Sequence, residues 1–257
     1  MMLRRCRRAV ALAIALLMCM VRLGLRRLRG RLAPHDRALW LQEACRRVLA
    51  SLGISVRVEG AAPGSGLVVS NHLTYMDIAV CASVMPCAFV SKKEVSRWPF
   101  FGLAARSAGT LFIDRASRAS ADAVALEMAG RLHQAIPILL FPEGTSSDGT
   151  RVLRFHTGLF EPAVTAAAPI TAAAIRYLSD GDVPERDVCW FGDEAFLPHL
   201  WRTLGVRGLR AELAFGEPRI YPDRRTAARE TQAEVQGMRA NLPGILPKTS
   251  REAVAAS

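Results

Sequence analysis

Nothing in these 257 residues sets zinc ligands at a recognisable spacing. There is no His-Glu-x-x-His helix, His72, His133, His156 and His199 are widely separated, and no metal is expected. The Gly-x-Ser-x-Gly turn of serine hydrolases is also missing. Ser70 stands in Val68-Val69-Ser70-Asn71-His72 without the flanking glycines, which argues against a serine nucleophile. The six cysteines, Cys6, Cys19, Cys45, Cys81, Cys87 and Cys189, are scattered, so they offer neither a disulfide framework nor a paired metal motif. They read as reduced thiols facing the cytoplasm, with Cys81 and Cys87 buried as small apolar residues. No internal repeat or low-complexity block occurs.

Acid is absent from residues 1–31, which hold nine arginines, so nine of the eleven net positive charges of the chain fall there. They bracket the apolar run Ala9 to Val21. A nucleic-acid arm interleaves basic residues with polar or aromatic ones. Basic residues around an apolar segment suit an anionic lipid surface instead. The run has 13 residues, short of the roughly 20 that cross a bilayer, and extending it to Leu25 crosses Arg22. A signal peptide has the same arginine-rich start. Met18 is a poor cleavage position, however, and the block from Arg22 to Arg31 resists translocation. The reading is a retained segment lying in, or dipping into, the cytoplasmic leaflet of the inner membrane. After Pro34, a second helix is expected from Asp36 to Leu52. Residues 1–52 read as a basic, apolar helical region, 53–241 as one domain and 242–257 as a frayed tail. A hydrophobic content of 51% and a mean hydropathy of +0.17 exclude a disordered chain.

The chain is organised around Gly66 to Asp77. Gly66 to Val69 reads as a buried strand, a polar turn follows, and Thr74 opens a helical pattern through Ile78, Val80 and Val84. His72 therefore sits at a strand-to-helix switch, where a near-neutral imidazole accepts a proton if a partner fixes its tautomer. Asp77 is the candidate partner. On one regular helix the two would point about 140° apart; with His72 in the turn and Asp77 in the first helical turn, they converge. Thr74-x-x-Asp77 is equally an acceptable capping box, in which Asp77 only satisfies a backbone amide.

Strands are expected at Ile54 to Glu59, Ala88 to Val90, Leu111 to Ile113, Ile136 to Phe141, Ile170 to Tyr177 and Leu209 to Phe215. Helical patterns cover Leu103 to Ser107, Ser120 to Gln134, Leu159 to Ala166, Leu197 to Leu204 and Arg224 to Asn241. Trp98-Pro99-Phe100-Phe101-Gly102 is an aromatic cluster, read as core in preference to the wall of an acyl-chain groove. The alternation predicts an α/β fold with a central, mostly parallel or mixed sheet flanked by helices. In such sheets, sites gather at strand ends.

Four segments then occur in order: Asn71-His72-x4-Asp77, Gly109-Thr-Leu-Phe-Ile-Asp-Arg115, Phe141-Pro-Glu-Gly-Thr145 and Ala168-Pro-Ile-Thr-Ala-Ala-Ala-Ile175. From about Gly53 to Asn241 the chain resembles the glycerolipid acyltransferases, in particular bacterial 1-acylglycerol-3-phosphate acyltransferases and their lysolipid relatives. The resemblance implies acyl transfer from a thioester of acyl carrier protein or coenzyme A to a lysolipid hydroxyl. That thioester is a co-substrate, and no other cofactor is implied. His72 and Asp77 would be catalytic, as base and orienting carboxylate. Asn71, Arg115, Glu143, Gly144 and Thr145 would serve the acceptor, with Arg115 on its phosphate and Lys92 or Lys93 near an anionic substrate.

Two positions depart from that pattern. Ser146 stands where an arginine usually follows Gly-Thr, and His156 replaces the basic residue after Phe155. The missing cation weakens the case for a phosphate monoester acceptor and leaves room for a lyso-ornithine lipid, although Arg151 or Arg154 would compensate. Lysophosphatidate leads. The other classes to weigh are a lipid-binding protein that has kept the fold without the chemistry, against which His72, Asp77, Arg115 and Glu143 argue, and a basic nucleic-acid binder.

Overall fold

The computed structural model describes residues 1–28, 30, 32–98, 101–114, 117–132, 134, 136–181 and 183–242. Two helices open the chain, α1 (Met2–Leu28) and α2 (Pro34–Leu52). Then come β1 (Ile54–Glu59), β2 (Leu67–Ser70), α3 (Met76–Val84), β3 (Ala88–Lys92), α4 (Phe101–Ser107), β4 (Leu111–Ile113), α5 (Arg118–Leu132) and β5 (Ile138–Leu140). A short 3₁₀ turn leads into α6 (Glu161–Thr165), and the chain continues through β6 (Ile170–Leu178), α7 (Glu185–Val188), α8 (Phe196–Thr203), β7 (Leu209–Phe215) and α9 (Arg224–Asn241).

The strands form one mixed sheet in the order β1-β7-β6-β2-β5-β3-β4. Neighbours run parallel except β6 and β7, which pair antiparallel. The expected α/β fold is therefore the observed one. β2 lies at the centre, and its residues are fully buried because both faces of the sheet are covered. Side-chain alternation along β2 splits the core. Val68 joins α2, α3 and part of α1 on one face, while Leu67 and Val69 join α5, α9, Phe155 and Phe160 on the other.

α2 starts at Pro34 and stops against Gly53, whose φ of 69° is the left-handed conformation that ends many helices. α1 is twice as long as the apolar run that announced it. By length and composition it is able to cross a membrane, with a mean hydropathy of 2.0 over its most apolar window. It packs on α2 through Ala15, Cys19 and Leu23, and Trp40 donates to the Cys19 carbonyl. Val10, Ile14, Leu17, Val21 and Leu25 recur at helical spacing and stay exposed.

The basic residues of α1 are largely engaged inside the protein. Arg4 donates to the carbonyl of Gly205, and Arg8 to those of Leu204 and Val206 at the C-terminal end of α8. Arg22 and Arg26 pair with Glu43 of α2, and Arg27 donates to Ser107 of α4. Cys19, Cys45, Cys81, Cys87 and Cys189 are buried free thiols, and Cys6 is exposed.

Candidate active site

Val69 of β2 lies beside Leu140 of β5 in parallel register, so the segments leaving their carboxyl ends emerge side by side. One carries His72 and the other Glu143. The Glu143 segment begins as a tight turn in which Gly144 N–H donates to the Phe141 carbonyl, with Pro142 and Gly144 at the positions such a turn favours.

His72 Nδ1 lies 2.7 Å from Asp77 Oδ2. The same oxygen accepts the N–H of Leu73 at 2.7 Å and of Thr74 at 3.0 Å, while Oδ1 accepts the Tyr177 hydroxyl at 2.8 Å. A fully buried carboxylate that collects two amides and a phenol acts as an acceptor throughout, so the imidazole proton sits on Nδ1 and the lone pair on Nε2. Burial and the neighbouring Asp77 charge hold the Tyr177 hydroxyl far above its ordinary range, which keeps it a donor. Both readings of Asp77 hold together: it caps backbone amides and it orients the histidine. The threonine half of the capping box is absent, because Thr74 Oγ1 is buried without a hydrogen-bond partner and α3 begins only at Met76.

The His72 ring stacks on Phe141, with centroids 4.2 Å apart and planes 13° apart, and its side chain is 20% exposed. Glu143 sits below, 4% exposed. Its Oε1 accepts the His72 N–H at 3.1 Å and its Oε2 accepts the Leu153 N–H at 3.2 Å. Burial pushes its carboxyl up to about 7, against the pull of those two amides. Ser147 N–H donates to the His72 carbonyl at 2.9 Å. His72 is thus fixed by a stacked ring, a carboxylate and two backbone bonds.

Asn71 does something the sequence does not suggest. Its amide accepts from Ile175 N–H at 2.8 Å and donates to the Ile175 carbonyl at 3.1 Å, and the residue is 1% exposed. It extends the β2–β6 pairing past the end of β2, and both amide atoms are engaged in doing so. Ser146 donates to the Trp190 carbonyl, while Thr145 is exposed beside it. Arg151 and Arg154 are exposed on the segment whose Leu153 amide Glu143 holds. Lys93 reaches Asp114 at 3.2 Å, across the carboxyl ends of β3 and β4. Arg115 lies outside the described residues.

Trp98 and Phe101 are 40% and 45% exposed, so the expectation that their cluster is core is corrected. Both rings pack on Phe196, which also meets Tyr75 and Trp190. These contacts come from the region between Asp180 and Gly208, which shows no clear periodicity before the short Leu197 to Leu204 pattern. Side chain-to-backbone bonds hold that stretch, and they leave no repeat to read.

The Acyltransferase family model matches residues 54–176, which span the His72, Asp77 and Glu143 positions. A lyso-ornithine lipid O-acyltransferase of Pseudomonas aeruginosa is 38% identical over 200 residues, covering 77% of this chain and 75% of that protein. The chain belongs to the acyltransferase family. Among its other relatives, a 1-acyl-sn-glycerol-3-phosphate acyltransferase of Neisseria meningitidis is 32% identical over 186 residues, covering 71% and 72% of the two chains. The crystal structure of the acyltransferase PlsC from Thermotoga maritima superposes with a TM-score of 0.73 at 20% identity, over 96% of this chain and 98% of that one. This acyltransferase therefore has the PlsC fold, and the resemblance drawn from its four segments is upheld.

Proposed function

We propose that this acyltransferase moves a fatty acyl group from an acyl thioester to the free hydroxyl of a lysolipid, with His72 as general base. The His72–Asp77 contact carries the reading: with Nδ1–H held by a buried carboxylate, Nε2 is the atom left to take the hydroxyl proton. As the oxygen attacks the thioester carbonyl, the new C–O bond forms and the C–S bond breaks. The proton on Nε2 passes to the departing thiolate. Asp77 stabilises the imidazolium in between, and no acyl-enzyme is needed. The donor is acyl carrier protein or coenzyme A, and no further cofactor enters.

Glu143 and Asn71 take positioning roles in this reading, because their polar atoms are engaged by backbone. Arg115, Gly144 and Thr145 belong to the acceptor side. Lyso-ornithine lipid is the favoured acceptor. Ser146, where the family pattern has a cation, is neutral and engaged with the Trp190 carbonyl, and the Pseudomonas relative carries that activity in its name. Retention of Arg115 supports lysophosphatidate as the second reading, as does the Neisseria relative. The outward apolar face of α1 supports attachment to the cytoplasmic leaflet of the inner membrane. Residues 1–52 act there as the anchoring region of a 53–241 catalytic domain.

The test is incubation of the detergent-solubilised protein with an acyl thioester and either lyso-ornithine lipid or lysophosphatidate, comparing wild type with His72→Ala. The expected result is product with lyso-ornithine lipid, lowered about 10²- to 10⁴-fold in the variant, the range for losing a general base. Product from lysophosphatidate alone would transfer the assignment to that acceptor, and near-wild-type turnover by His72→Ala would remove His72 from the chemistry. Arg115→Ala is expected to raise the KM of the acceptor more than that of the thioester, and equal effects on both would take Arg115 out of the acceptor site.

A further inference from the structure

The turn between His72 and Asp77 is held from inside by Asp77 and from outside by a segment far away in sequence. Tyr75 lies in that turn, and its hydroxyl is 3.0 Å from Nδ1 of His199 on α8. His199 is fully buried. Its other ring nitrogen, Nε2, lies 3.2 Å from the Val188 carbonyl and 3.1 Å from the Cys189 carbonyl. Two carbonyls only accept, so Nε2 carries the proton and Nδ1 offers its lone pair to the Tyr75 hydroxyl. The ionisation states agree with this geometry. Burial is the main influence holding His199 below its ordinary range, with the Arg202 charge acting in the same direction and Glu194 and the two carbonyls opposing. Burial is also what lifts the Tyr75 phenol well above its own.

The residue after Cys189 completes the arrangement. Trp190 N–H donates to the Leu73 carbonyl at 2.9 Å, inside the His72 turn, and its carbonyl accepts from Ser146 in the Glu143 segment. The Trp190 and Tyr75 rings meet edge-on at 5.7 Å. The stretch from Val188 to Trp190 is therefore bonded to both loops that build the site, and among the described residues His199 is the side chain bonded both to this stretch and to Tyr75.

We propose that His199, as the neutral Nε2–H tautomer, is a positioning residue for acyl transfer: it locks Tyr75 and the Val188–Trp190 stretch together and so fixes the His72–Asp77 turn against the Glu143 segment. The proposal rests on the assignment of His72 as the base. It assigns His199 no contact with substrate. Its loss lets the base drift from its attacking geometry, an error for which a shift near 1 Å costs about 10²-fold in rate.

The test uses the full chain with His199→Phe, which keeps a ring and loses both bonds, Tyr75→Phe, the double variant, and Thr231→Val as a control. Thr231 is buried in α9 with its hydroxyl on the Ala227 carbonyl, remote in sequence from these loops, so it reports general loss of stability. Expected for His199→Phe is a kcat lowered about 10- to 100-fold with thioester KM nearly unchanged. Tyr75→Phe shows a smaller loss, and the double variant is no worse than His199→Phe alone. Hydrogen exchange supplies a readout independent of the acceptor: peptides covering Leu73, Thr74 and Trp190 lose protection in His199→Phe and keep it in Thr231→Val. Unchanged protection and kcat in His199→Phe, or losses that merely follow the melting temperature as in Thr231→Val, would overturn the proposal. Faster exchange of the turn, with His72→Ala still active, would keep the positioning role and place the fault in the His72 assignment.

Discussion

Glu143 is an acid kept where its charge is costly. Its carboxyl, pushed up to about 7 by burial, stands above the ordinary glutamate value of 4.5, so between those limits the folded protein holds the proton more tightly than the unfolded chain does. The sign follows: this group favours folding most below about pH 4.5, and that contribution is lost as pH rises through about 7. A shift of this size is worth about 3 kcal/mol. Glu143→Gln cannot ionise, so the stability of the variant relative to wild type should rise by that order between pH 4.5 and 7.5, as read by urea unfolding in detergent. A difference flat with pH would show that the two amides, not burial, set this carboxyl. At this scale the sequence was partly legible. Placing His72 in the turn and Asp77 in the first helical turn predicts that they converge, and they do. The strand-clamping work of Asn71 and the bond from Ser146 to Trp190 were not legible, because each is made to a backbone atom more than forty residues away, and no local pattern encodes such a contact.

Elements with their own punctuation were the readable ones. β1, β4, β7 and α9 run over the residues that their patterns predict; α9 is opened by Asp223, whose side chain accepts from the amides of Arg225 and Thr226. α3 begins two residues after Thr74, since Thr74 supplies no cap. α1 outruns its apolar core because its flanking arginines find carbonyls and Glu43 within the protein. The entry to β2 depends on Gly66, which has a φ of 81° and is packed so that a Cβ there would run into the Pro169 carbonyl oxygen. Leu67 N–H bonds that same carbonyl, and Ile138 N–H bonds the Gly66 carbonyl, so the chain cannot move aside without breaking the β2 pairings. Gly66→Ala is therefore expected to destabilise the fold by about 2 kcal/mol or more. Its melting temperature tests this; one within a degree of wild type would show that the strand entry relaxes freely.

For the whole molecule, the question is what the concentrated positive charge of the first helix does. Arg4, Arg8, Arg22, Arg26 and Arg27 are engaged with carbonyls, Glu43 or Ser107, so attachment to a bilayer should depend more on the outward apolar face than on charge. Replacing Leu17 and Val21 together by Asp is expected to lower vesicle partitioning about 10²-fold or more, from the burial worth of two aliphatic side chains. Raising salt from about 0.05 to about 0.5 M, which shortens the screening length to a few Å, should change it far less. Co-sedimentation with anionic vesicles reads both, and binding that collapses in salt yet tolerates the two aspartates would return the role to the arginines.

The buried thiols give this chain an internal clock for its own disassembly. Cys6 should react with a maleimide at once, and Cys19 waits on separation of α1 from α2. Cys81, Cys87 and Cys189, enclosed within the sheet domain, wait on its unfolding. Mass spectrometry of the labelled products over time would therefore distinguish a first helix that lifts away from an intact domain from one that comes apart only with it, without introducing a single substitution.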